Sequence, residues 1–193
     1  MKEWNEITVM LNMTKEEAVR QLSRMGCTHE VTYQINDDYY LPHSANMDRD
    51  VLELLNEMVL IRSFNGKFKL TVKRKEFAPD GSITAQTNTD LPVESYDRAE
   101  AFLNALGYKK VIEIRDEACV MTKDGLGFVI EDVNDGTWLM LEIEENEHYP
   151  RIDDLKEKLK ESGLIYDDSD YFVKKAQLVY NRIKETKPTE EAR

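Results

Sequence analysis

The sequence predicts an α+β fold: an antiparallel sheet of about eight strands with helices packed against its apolar face. Two observations lead there. Between Met58 and Glu144, four turn dipeptides (Asn65-Gly66, Asp80-Gly81, Asp124-Gly125 and Asp135-Gly136) are each flanked by runs in which apolar and polar residues alternate. Asn-Gly and Asp-Gly supply the positive φ angles of two-residue hairpin loops, so this region reads as successive antiparallel hairpins. Elsewhere apolar residues recur at helical spacing in four longer stretches, which is the pattern of amphipathic helices.

In chain order, residues 3–11 alternate as a strand, with Ile7, Val9 and Leu11 on one face and Glu6, Thr8 and Met10 on the other. Thr14 then opens a helix through a capping box with Glu17, and its stripe of Ala18, Leu22 and Met25 ends at Gly26. VTYQINDDYY at residues 31–40 is rich in β-branched and aromatic residues and reads as a strand. Residues 43–50 are polar and form a loop leading into a short helix through Leu55. In KFKLTVKRK, Phe68, Leu70 and Val72 oppose Lys67, Lys69, Thr71 and Lys73. In KKVIEIRDEACVM, Ile112, Ile114, Ala118 and Val120 oppose Glu113, Arg115 and Glu117. A helix over 95–106 carries Ala99, Phe102, Leu103 and Leu106 and stops at Gly107. Another starts at Pro150 and carries Ile152, Leu155 and Leu159 to Gly163; the last runs over 169–184 with Phe172, Ala176, Val179, Tyr180 and Ile183. Residues 1–185 read as a single domain. Residues 186–193, ending in KPTEEAR, have no apolar surface to bury and are expected to be disordered.

Composition narrows the function. With 38 acidic and 26 basic residues among 193, the formal charge is −12, a field that repels nucleic acid and anionic membrane. No apolar run approaches the roughly 20 residues of a membrane span, and the start lacks a signal-peptide layout, so a cytoplasmic protein is expected. Cys27 and Cys119 lie far apart without a CxxC, and His29, His43 and His148 lack metal-ligand spacing, so reduced thiols and no structural zinc are expected.

The stretch that concentrates chemistry is TWLMLEIE at residues 137–144. As a strand it points Leu139, Leu141 and Ile143 one way and Glu142 and Glu144 the other. Two carboxylates at i and i+2 stand roughly 7 Å apart, close enough to share a divalent cation or clasp a basic group. Read from pattern alone, the polar face of this sheet is either wet or, if so many strands curl or close, an interior that must hold a charged ligand or neutralise itself.

The order of motifs resembles the CYTH domain, the family of class IV adenylate cyclases, thiamine triphosphatases and inorganic triphosphatases. The matching segments are an N-terminal strand containing Glu6, DDYY at 37–40, IRSFNGKFKLTVK at 61–73, ALGYKKVIEIR at 105–115, IEDV at 130–133 and LEIE at 141–144. The resemblance implies an eight-stranded antiparallel closed β-barrel, a triphosphate tunnel with helices packed outside. It implies that Arg62, Lys69, Lys73 and Arg115 bind phosphate, that Glu6, Glu142 and Glu144 hold Mg2+ or Mn2+, and that Tyr39 and Tyr40 line the tunnel mouth; no catalytic residue is assigned. The match has gaps: Thr8 and Met10 replace the second acid and the lysine of the family's ExExK, Leu60 replaces an arginine, Gln86 and Asn88 replace an ExE, Glu113 replaces a lysine, and Glu131 stands for an aspartate. The implied function is binding of a small phosphorylated anion, with metal-dependent phosphohydrolase activity attenuated by the missing cations and cyclase chemistry second to it. The alternatives are a non-catalytic phosphate-binding module and a structural barrel in which Glu113, Glu131, Glu142 and Glu144 neutralise Arg62, Lys73 and Arg115. The chain is expected as a monomer or a homodimer, with Tyr171, Phe172, Val179 and Tyr180 as a mating face.

Overall fold

The computed structural model describes residues 5–186; the expected strand start at residue 3 and the KPTEEAR tail lie outside the described residues. Eight strands, β1 (Glu6–Met10), β2 (Thr28–Pro42), β3 (Val59–Phe64), β4 (Lys67–Phe77), β5 (Ile83–Val93), β6 (Tyr108–Lys123), β7 (Leu126–Val133) and β8 (Trp138–Glu144), make one antiparallel sheet. Its order is β1-β8-β7-β6-β2-β3-β4-β5. Five helices accompany it: α1 (Lys15–Met25), α2 (Val51–Glu57), α3 (Tyr96–Ala105), α4 (Ile152–Glu161) and α5 (Lys175–Thr186). The α+β class and the eight strands match the expectation from sequence.

The sheet is open, which corrects the closed barrel: β1 and β5 are its two ends. The reason lies at the outer edge of β1. The N–H of Thr8 donates to the carbonyl of Tyr171 at 2.9 Å, Val173 donates to Thr8 at 3.1 Å, Asp167 donates to Met10 at 2.9 Å, and Asn12 donates to Ile165 at 2.8 Å. A strand edge offers one row of donors and acceptors, and residues 165–173 occupy that row. The same segment explains why α5 begins at Lys175 rather than at residue 169. Asp167 Oδ1 accepts the Ser169 N–H at 2.9 Å and Asp170 Oδ1 accepts the Phe172 N–H at 2.7 Å, turns that compete with a helical start.

The chain forms two compact units, one of residues through Ile35, Lys75–Thr87 and Arg115–Val173, the other of Asn36–Arg74, Asn88–Ile114 and Lys174 onward. In the first unit Ile7, Val9, Leu141, Ile143, Phe128, Ile130, Cys119 and Met121 pack against Ala18 and Leu22 of α1 and Leu155 and Leu159 of α4. The predicted capping box starts α1: Thr14 Oγ1 accepts the Glu17 N–H at 3.2 Å and Glu17 Oε2 accepts the Thr14 N–H at 2.9 Å. One face assignment reverses. Cys119 and Met121 point to the helices, and Glu117, of the same parity, meets Lys15 of α1 at 2.5 Å. Ala118 is buried on the opposite face, with Glu131 as its register partner on β7.

In the second unit α3 is stapled to β2 from its first turn. Its core is Tyr40, Ile61, Ala99 and Leu103, with Val59, Leu70, Val93, Tyr96 and Tyr108 around them. Tyr40 Oη donates to Glu100 at 2.7 Å and lies 3.0 Å from Tyr96 Oη, while Tyr96 donates to the buried Asp38. On α5, Val179 and Tyr180 are buried, and Tyr180 Oη donates to the Met47 carbonyl at 2.8 Å. Tyr171 and Phe172 are half-buried and pack against the first unit's core. Among the described residues no helix is long and apolar enough to cross a membrane.

Two outcomes are expected. Leu22→Ala should lower the unfolding free energy in urea by about 3 kcal/mol, because Leu22 is fully buried between α1 and the sheet and its loss leaves a cavity. Burial pushes the Tyr40 hydroxyl far up, reinforced by Tyr96 and Glu100; burial and then Asp38 push up that of Tyr96. A raised tyrosine contributes its stability fully below the unfolded pKa of about 10 and loses it above, so thermal melts should fall from about pH 10 upward. Tyr96→Phe should flatten that fall.

Candidate functional site

The second unit carries a group of basic candidate residues, built on the β3–β4 hairpin. Asn65 and Gly66 adopt φ of 49° and 71°, the paired positive angles of the tight turn predicted from their sequence. That turn sets the register, placing Arg62 opposite Lys69 and Leu60 opposite Thr71. Ile61 and Leu70 point into the core beneath α3, so Arg62, Lys69, Thr71 and Lys73 line the other face of the hairpin.

Each of the first three is held by an aspartate. Arg62 donates from Nε to Asp37 Oδ1 at 2.7 Å and from Nη2 to Asp37 Oδ2 at 2.5 Å, a bidentate fork. The Asp37 side chain is 7% exposed and that of Arg62 22%. Burial works against the charged guanidinium, and Asp37 more than offsets it, holding Arg62 above the usual arginine range. Lys69 Nζ donates to Asp90 Oδ2 at 2.6 Å and Thr71 Oγ1 donates to Asp90 Oδ1 at 2.7 Å. The Lys69 bond, partly opposed by burial and aided by Thr71, keeps the Asp90 carboxyl below the usual range. Tyr39 stands beside this group; burial and then the Asp37 charge push its hydroxyl up. Tyr40, placed at the tunnel mouth by resemblance, is fully buried on the α3 face.

The first unit carries a group of acidic candidate residues of its own. Register sets Glu6 opposite Glu144 and Thr8 opposite Glu142, in a row on the face away from the core, with Glu131 of β7 opposite Met140. Thr8 and Glu131 are buried, Glu6 and Glu142 are half-buried and Glu144 is exposed. Glu6 Oε1 lies 3.5 Å from Lys75 Nζ. Among the described residues no three His, Cys, Asp or Glu side chains group so as to hold a metal ion. Arg115, also in this unit, exchanges backbone bonds with the Asn134 turn, its N–H donating to Asn134 Oδ1 at 2.7 Å.

The residues that sequence reasoning missed are the counter-ions. Glu113, Glu131, Glu142 and Glu144 were the acids expected to neutralise Arg62, Lys73 and Arg115; Arg62 is instead met by Asp37, while Lys69 is met by Asp90 and Glu113 by Lys110. A signal existed: Asp37 shares the parity of Tyr39, and Asp90 that of Gln86 and Asn88, so both belong to the same polar rows as those residues. Asp37→Leu should cost about 3 kcal/mol in urea unfolding, because it strands a largely buried guanidinium. The double variant Asp37→Leu/Arg62→Met should recover most of that loss, the outcome expected of a pair that matters through mutual neutralisation.

No protein-family model matches the sequence, and no curated protein sequence matches it. Solved structures do match in fold. A candidate adenylate cyclase from Vibrio parahaemolyticus aligns with a TM-score of 0.63 at 14% identity over 93% of this chain and 98% of that one. HpAC1 from Hippeastrum, a candidate adenylyl cyclase described as having a dominant triphosphatase activity, aligns with a TM-score of 0.62 at 17% identity over 92% and 96%. A chain of the Schizosaccharomyces pombe Mediator head module aligns with a TM-score of 0.58 at 11% identity over 86% and 98%. At such identities the likeness is one of fold, and a fold hosts many functions. What the ordered motifs and these neighbours establish together is that the chain has a CYTH-like fold.

Proposed function

We propose that the protein binds a phosphorylated anion of the triphosphate class on the Arg62–Lys69–Thr71–Lys73 strip, as a binding module rather than a fast hydrolase. The observation that carries this reading is the pairing of Arg62 with Lys69 in register on one face, with Thr71 and Lys73 following on the same strand, in a chain of net charge −12. A guanidinium has five N–H donors, and Asp37 takes two of them while holding its plane, so Arg62 is pre-oriented with donors to spare for phosphoryl oxygens. Pre-orientation lowers the entropy lost on binding. The activity described for HpAC1 makes tripolyphosphate the first ligand to try.

Fast cleavage is not supported to the same degree. Phosphoryl transfer relies on cations that neutralise developing charge, and Met10, Leu60 and Glu113 stand where the family resemblance calls for three of them.

A second reading, an interaction module whose strip is self-neutralised, is favoured by the Arg62–Asp37 and Lys69–Asp90 pairs. The same fold within the Mediator head module is compatible with it. A thermal melt with sodium tripolyphosphate separates the two. Near saturation the midpoint should rise by about 5 °C or more without a divalent ion, and Lys69→Ala and Lys73→Ala should each reduce the rise. No rise at millimolar ligand would leave the interaction module. Phosphate release by the wild type should be no faster than by Glu142→Gln/Glu144→Gln; Mg2+-dependent release lost in that variant would assign a hydrolase instead.

A further inference from the structure

We propose that Asp90 is a resident anion of this strip, a carboxylate seated where a phosphoryl group would bind, so that it competes with the ligand and sets the strip's resting, self-inhibited state. The inference rests on the binding reading above. One Asp90 oxygen lies 2.6 Å from Lys69 Nζ and the other 2.7 Å from Thr71 Oγ1. A single carboxylate thus bridges an ammonium and a hydroxyl, the same two donors that would take two oxygens of a phosphoryl group.

Asp90 differs from Asp37 in what holds it. The Asp37 side chain is 7% exposed and grips Arg62 with both oxygens, so it stays with the guanidinium whether ligand is present or not. The Asp90 side chain is 42% exposed and that of Lys69 is 35% exposed. Asp90 sits in the exposed stretch 87–92 of β5, the strand that ends the sheet, so a rotamer change delivers its charge to water without opening a core. The Lys69 bond keeps its carboxyl acidic, so it competes as a full anion at neutral pH. An ion pair at this exposure is worth up to about 1 kcal/mol, which corresponds to about fivefold in ligand affinity. The two aspartates therefore have separate tasks: Asp37 orients a cation, and Asp90 occupies the place of the ligand.

The test is calorimetric titration of sodium tripolyphosphate into wild type, Asp90→Ala, Asp90→Asn, Asp97→Asn and Lys69→Gln/Asp90→Ala. Asp90→Ala and Asp90→Asn should bind about fivefold more tightly than wild type. Asp97→Asn, which removes one negative charge from an exposed position on α3, should match wild type and so exclude a general charge effect. Lys69→Gln/Asp90→Ala should lose the gain. Wild-type binding with Asp90→Ala equal or weaker would overturn the displacement and leave the binding reading intact. A silent wild type with Asp90→Ala binding would support the displacement and overturn the reading for the wild-type protein. Silence from both would overturn both.

Discussion

The pairing of Arg62 with Asp37 is the interaction on which the rest of the candidate site depends. Both side chains are largely buried, and a buried charge is tolerated only when matched and hydrogen-bonded. The bidentate geometry goes further than charge balance: it sets the plane of the guanidinium and thereby the direction of its remaining donors. Lys69, opposite Arg62 in register, is kept apart from it electrostatically by its own partner, Asp90. Two cations can stand side by side because each brings an anion. The polar face of this hairpin is therefore a set of matched pairs in which one pair is sealed and the other is exposed.

That arrangement bears on how far a fold argues for a function. The same architecture accompanies candidate cyclases, a protein described as a triphosphatase and a chain of the Mediator head module. What separates binding from catalysis on such a scaffold is the count and placement of charges on the sheet. Here β3 and β4 carry Arg62, Lys69 and Lys73 on one face, while the row on β1 reads Glu6, Thr8 and Met10 and holds a single charge.

The open edge of the sheet follows from the backbone rather than from any site residue. Residues 165–173 pair with β1 by main-chain hydrogen bonds and pack Tyr171 and Phe172 against the core. Nothing in the strand pattern announces such a segment: Tyr-Asp-Asp-Ser-Asp-Tyr-Phe does not alternate cleanly, and its apolar residues fit a helical stripe well enough to extend α5 six residues too early. Aspartates that accept their neighbours' N–H groups decide the matter locally, and pairing with the outer edge of β1 decides it globally.

The sequence by itself determined the elements that depend on neighbours a few residues away. The turns at Asn65-Gly66 and Asp124-Gly125, the Thr14–Glu17 capping box, the left-handed stop at Gly26 and the alternation that puts Arg62, Lys69 and Thr71 on one face are all local, and all are present. Glu142 and Glu144 likewise occupy the polar row of β8 that alternation assigns them. Only tertiary structure decided which acid meets which base, that Tyr40 faces α3, and that β1 ends the sheet. Partners 19 to 25 positions apart, such as Thr71 with Asp90 or Arg62 with Asp37, are brought together by strand order, and strand order is a property of the whole sheet. Alternation names the face a side chain points to; it carries no information about what stands opposite.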